Sequence, residues 1–150
     1  MSDADGTFES ILIATDGSDQ AKRALERAIA MAEPLEATVH VLAVVDTDRS
    51  PMTFDVETVG ELEDAKERVV DEIVAAHDDH AVEVRGAVRR GRPAPEIVAY
   101  AEENAIDVIV VGRSGETGLA ETLLGSTTDR VLRSASVPVV VVPTRNDETG

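Results

Sequence analysis

The stretch Val108-Ile109-Val110-Val111-Gly112-Arg113-Ser114-Gly115, followed after nine residues by Gly125-Ser126, decides how this chain is read. Four consecutive apolar β-branched residues suit a strand buried on both faces, and a glycine directly after such a strand marks where the chain leaves the sheet. Ser126 to Ser134 then reads as a helix. A strand, a glycine-bearing loop and a helix in that order set free backbone amides and the positive end of a helix dipole beyond the strand, which favours a phosphate. Glycines at 112, 115 and 125 are expected to let amides approach phosphate oxygens and to supply positive φ where the loop reverses.

The same alternation extends in both directions. Ser10-Ala14, Thr38-Val45, Ala81-Val88, Val108-Val111 and Val137-Val142 read as strands. Between the first two, Ala21, Ala24, Leu25, Ala28, Ile29 and Ala32 fall on one face of a helix, with Ser18 placed as its cap. Glu61 to His77 repeats that spacing, a third helix follows Gly91-Arg92-Pro93 and runs to about Asn104, and Ser126-Thr127-Thr128-Asp129 opens the last with capping-box-like spacing. Continuous apolar strands alternating with helices predict an α/β fold, an open parallel sheet covered on both faces.

In open sheets of this kind ligands bind beyond the carboxyl ends of the strands, where strand order reverses. Three such ends are legible: Ala14-Thr15-Asp16-Gly17-Ser18, Val44-Val45-Asp46 and Gly112. The connection from Asp46 to Thr58, with Pro51, Met52 and Phe54, suits either a lid over a site or a plain surface excursion.

The 150 residues, 43% of them hydrophobic, suffice for one domain with a sizeable core. No run approaches the roughly 18 apolar residues of a membrane helix, and the acidic start Met1 to Gly6 is unlike a signal peptide, so a cytoplasmic location is expected. Without cysteine, disulfides and thiolate metal sites are excluded. His40, His77 and His80 are placed apart and form no ligand set, which argues against zinc.

Thirty acidic residues against fourteen basic ones give a net charge of −16, and twelve of the fourteen are arginine. Such a surface suits molar salt, where screening acts within roughly 3 Å, and it points to a halophilic archaeal source. The acids are scattered from Asp3 to Glu148, which favours this over a binding face for a cationic partner. Nucleic acid is excluded as a partner by the lack of a basic groove and of an aromatic stacking set beyond Phe8, Phe54 and Tyr100.

Taken together, Ile11-Leu12-Ile13-Ala14-Thr15-Asp16-Gly17-Ser18, Gly112-x2-Gly115-x9-Gly125-Ser126, Thr117-Gly118-Leu119, Leu123-Leu124-Gly125-Ser126 and Val137-Pro138-Val139-Val140-Val141-Val142-Pro143 resemble the universal stress protein (UspA-like) family of the ATP-binding kind. The resemblance covers nearly the whole chain. It implies a five-stranded parallel sheet of order 3-2-1-4-5, adenine-nucleotide binding, a homodimer and a role in stress tolerance. By position it implies that Ala14, Thr15 and Asp16 border the nucleotide and that Val44 meets the adenine. Gly112, Arg113, Ser114, Gly115 and Gly118 would then wrap ribose and phosphates, with Gly125, Ser126, Thr127 and Thr128 completing the phosphate site. ATP is the implied cofactor, with Mg²⁺ reached by Asp16 through phosphate or water. Ser114 departs from the family, many members of which carry a larger basic or imidazole side chain there.

Each motif also has a plainer reading. Ser126 with Asp129 suits a helix cap, and Asp16-Gly17 suits an ordinary turn after a strand. Gly125 is followed by Ser126 rather than Lys, which excludes a Walker phosphate loop, and no Gly-x-Ser-x-Gly elbow supports a hydrolase triad. Binding is therefore favoured over turnover, with a slow ATPase or nucleotide-dependent transferase as the alternative and a dimer module without ligand as a third. In the implied strand order Val137-Val142 lies at a sheet edge and invites two-fold pairing with a second copy.

Overall fold

The computed structural model describes residues 8–47, 56–77, 82–113 and 124–143. Five strands, β1 (Ser10–Ala14), β2 (Thr38–Asp46), β3 (Val84–Gly91), β4 (Val108–Gly112) and β5 (Val139–Val142), alternate with α1 (Asp19–Leu35), α2 (Val56–Ala76), α3 (Pro93–Glu103) and α4 (Ser126–Ser134). All pairings are parallel, and the strand order is β3-β2-β1-β4-β5, as the family resemblance implies.

The side-chain alternation of the strands assigns the two faces. Ile11, Ile13, Val39, Val41, Val108 and Val110 pack with Ala24, Leu25 and Ala28 of α1. Leu12, Leu42, Ile109 and Val111 point the other way, onto Ile97 and Tyr100 of α3 and Val131 of α4. The central strands β1, β2 and β4 are buried on both sides because helices cover both sides, which is why their sequence is apolar without alternation. α1 begins as its sequence predicts: the Ser18 hydroxyl accepts the amide of Ala21 at 3.1 Å.

Two strands, β3 and β5, begin later than their apolar runs. The apolar run predicts β3 at Ala81–Val88, but the strand is Val84–Gly91 because it follows the long β2, from Val39↔Val84 to Asp46↔Gly91. Arg85, Arg89 and Arg90 sit in it because this is an edge strand with one half-exposed face. β5 starts at Val139 rather than Val137: Pro138 has no amide to give, although its carbonyl accepts the Ile109 amide at 3.0 Å. At Gly86 a β-carbon would lie 2.1 Å from Cγ1 of Val70, so this glycine is where α2 rests on the sheet. The connection from Asp46 to Thr58, which suits either a lid or a surface excursion, falls for the most part outside the described residues.

Candidate functional site

The carboxyl end of β1 passes into a turn that its own side chains organise. The Thr15 hydroxyl accepts the Gly17 amide at 3.1 Å, and Asp16 Oδ1 accepts the Ser18 amide at 3.0 Å. Gly17 takes φ +83°, a conformation that favours glycine. The plain-turn reading of Asp16-Gly17 therefore describes what one carboxylate oxygen of Asp16 does. Among the described residues its Oδ2 has no hydrogen-bond partner. No cluster of three acids or histidines that could hold a metal occurs among the described residues. One carboxylate oxygen nevertheless fits Mg²⁺, which is commonly held by one or two carboxylates, water and the phosphates of a substrate.

β2 outruns β1. The last register pair is Ala14↔Leu42, extended by the bond from the Thr15 amide to the Leu42 carbonyl at 2.9 Å. In a parallel ladder the N–H and C=O of one residue point to the same neighbour, and residues two apart share that direction. Val44 thus aims its N–H and C=O at the space beyond the end of β1, where no described residue pairs with them. Its side chain packs with Ala14 against the cluster under α3 and α4. A donor, an acceptor and an apolar side chain are offered together at one strand end.

The two ends of the glycine signature meet. The Gly125 amide donates to the Arg113 carbonyl at 2.9 Å, and the Arg113 amide donates to the Val142 carbonyl at 3.0 Å. The Thr128 hydroxyl, buried, donates to the Gly112 carbonyl at 2.7 Å. The strand end Gly112–Arg113 and the helix start Gly125–Thr128 are thereby fixed against each other. Within α4 the first bond runs from the Asp129 amide to the Gly125 carbonyl. The amides of Ser126, Thr127 and Thr128 have no partner among the described residues, as expected of a first helical turn. Ser126 is exposed, Thr127 is half-exposed, and the Arg113 guanidinium makes no ion pair among the described residues.

Three expectations change. Gly125, not Ser126, occupies the cap position of α4, with φ −64° and ψ 155° and no side-chain cap bond. The capping-box reading of Ser126 and Asp129 therefore fails, and the acid instead pairs with Arg133 at 3.0 Å. Positive φ is found at neither Gly112 nor Gly125; among the described glycines only Gly17 and Gly91 adopt it. Gly112 is required for another reason: a β-carbon there would stand 2.8 Å from Cγ of Gln20. Ser114, Gly115 and Gly118 lie outside the described residues.

Sequence reading does not single out Gln20, Thr128's bond to Gly112 or the His40–Tyr100 pair. Each joins segments far apart in the chain, and only the Gly112–Gln20 contact leaves a trace, as a glycine. The Nδ1 of His40 is 2.7 Å from the Tyr100 hydroxyl, a contact that ties β2 to α3.

The universal stress protein family matches residues 7–143. The chain is 34% identical over 139 residues to universal stress protein MJ0531 of Methanocaldococcus jannaschii, covering 90% of this chain and 82% of that one. The solved structure of MJ0577, from the same organism, superposes with a TM-score of 0.80 at 32% identity, covering 93% of this chain and 99% of the other. A universal stress protein solved in complex with cAMP superposes at 0.68 with 25% identity, covering 93% and 99%. With sheet order, strand-end geometry and sequence in agreement over this length, the chain belongs to the universal stress protein family.

Proposed function

We propose that this protein is an ATP-binding regulatory module of the stress response, acting as a homodimer in a salt-rich cytoplasm. The observation that carries the reading is the bond from the Gly125 amide to the Arg113 carbonyl, which sets an open helix start beside the end of β4. The amides of Ser126, Thr127 and Thr128, without partners among the described residues, form a site for the phosphates together with the Ser126 and Thr127 hydroxyls and the Arg113 guanidinium. Thr128 acts from behind, through Gly112. Val44 reads the adenine edge through its unpaired N–H and C=O, and Ala14 with the Thr15-Asp16 turn borders the nucleoside. Asp16 would hold Mg²⁺ through phosphate or water, and the ion would neutralise part of the phosphate charge. The cAMP complex of a relative supports an adenine nucleotide as the ligand class.

Gly125 is followed by Ser126 and not by the lysine of a Walker loop, which favours binding over turnover, with a slow ATPase or nucleotide-dependent transferase as the second reading. The test is calorimetry in molar KCl with Mg²⁺. ATP should bind and GTP should bind at least tenfold more weakly, because a guanine edge reverses the donor and acceptor that Val44 meets. Equal affinity for GTP, or no heat at millimolar ATP with folded protein, overturns the proposal.

A further inference from the structure

Gln20, in the first turn of α1, reaches across the carboxyl edge of the sheet. Its carboxamide nitrogen donates to two carbonyls, those of Val142 and Pro143, each at 3.1 Å. These two bonds use both of its N–H groups. Its stem lies over Gly112, with Cγ 2.8 Å from where a β-carbon would be. The Val142 carbonyl is shared, since it also accepts the Arg113 amide at 3.0 Å. One neutral side chain thus ties α1 to the end of β5 and packs on the end of β4, at the residues where the glycine signature starts.

We propose that Gln20 is a positioning residue for the phosphate-binding segment: it holds Gly112 and Arg113 in the place from which Arg113 meets Gly125. Gln20 touches no ligand in this scheme. It acts through the Val142 carbonyl, which orients the Arg113 peptide, and through its stem, which stops the Gly112 backbone from moving toward α1. In its nucleotide arm the proposal rests on the ATP-binding reading. It goes beyond that reading by assigning the geometry of the segment to a residue outside the signature.

Gln20→Met and Gln20→Ala separate the two contributions. Methionine keeps the length over Gly112 and lacks the donors; alanine removes both. Amide hydrogen exchange in the free protein should show the Arg113 and Gly125 amides exchanging about tenfold faster in Gln20→Met, with the Thr15 amide unchanged. In calorimetry the same variant should lose about tenfold in ATP affinity, the effect of losing one or two neutral hydrogen bonds, and less than twofold for adenosine. Gln20→Ala should extend both effects. Unchanged exchange at Arg113 and Gly125, or parallel loss of ATP and adenosine, overturns the positioning role. A wild-type chain giving no heat with ATP overturns the nucleotide reading instead, and the exchange rates still decide the part of Gln20.

Discussion

His40 and Tyr100 meet in the core, Nδ1 to phenolic oxygen at 2.7 Å, and so join the middle of β2 to α3. Their rings are edge-on with centroids 5.6 Å apart, and the Arg89 guanidinium lies 5.0 Å from the Tyr100 centroid. Arg89 is in turn held by Glu103 and by Glu96, the latter at 3.5 Å. A buried polar pair is stable when both members are satisfied. The charged state of His40 is disfavoured, first by burial and then by Arg85, while Glu83 acts in the opposite sense.

Stability should therefore fall in mild acid. The folded state lowers the pKa of His40 below 6.5, so the unfolded chain binds the proton more readily. The contribution is fully present above about pH 6.5 and is lost as the pH falls below it. Denaturant unfolding in molar KCl at pH 7.5, 6.5 and 5.5 should show a declining free energy, before most carboxylates titrate. His40→Leu should flatten that part of the profile, at a fixed cost from the unpartnered Tyr100 hydroxyl. An equal slope in the variant would exclude His40 as the source.

Thr128→Val keeps the side-chain volume and removes the donor to the Gly112 carbonyl. It should cost about 1–3 kcal/mol, the range for stranding a buried acceptor. The ATP affinity of the folded variant should fall as well, because the strand end and the helix start lose one of their ties. A variant as stable as wild type would mean that water replaces the hydroxyl.

Much of this was legible in the residues. The unbroken apolar runs of β1, β2 and β4 report burial on both faces, and Ser18 marks the start of α1. β3 was displaced because Arg85, Arg89 and Arg90 interrupt its hydrophobicity; its ends are set by pairing with β2, a tertiary effect that no local pattern carries. At the site, the glycines mark the right places for partly different reasons. Gly112 yields space to Gln20, which is distant in sequence, and Gly125 adopts an extended conformation open to any residue. The free edge of Val44 follows from β2 outlasting β1, which depends on register.

That extended conformation sharpens a test at Gly125. With φ −64° and ψ 155°, a β-branched residue meets no backbone penalty. Gly125→Val should thus leave the far-ultraviolet spectrum close to wild type and abolish ATP binding, by occupying the space before the helix start. Normal ATP affinity in the folded variant would remove the phosphate site from α4.

Gly86→Ala tests the α2 contact separately from the site. A β-carbon 2.1 Å from Val70 Cγ1 forces the helix outward and should cost about 1–3 kcal/mol, the usual range for overpacking. Val70→Ala in the same chain should recover part of that loss, since the two changes share one contact. Additive losses would show that the strain lies elsewhere.

The last prediction concerns β5. Pro138 and Val142 direct their carbonyls to β4, accepting the Ile109 and Arg113 amides, so Val139 and Val141 direct their own N–H and C=O to the outer edge. Among the described residues nothing pairs with that edge, and its valines are apolar toward both faces. Antiparallel pairing with a second copy about a two-fold axis would satisfy the edge on both chains at once. Val141→Pro removes an outward amide and leaves the ladder to β4 intact, so it should dissociate the dimer without unfolding the subunit. Val140→Pro removes an inward amide and should destabilise the subunit itself. Light scattering in molar salt should give twice 15.9 kDa for the wild type and 15.9 kDa for Val141→Pro. A wild-type monomer, or a Val141→Pro dimer of undiminished stability, would exclude pairing along this strand.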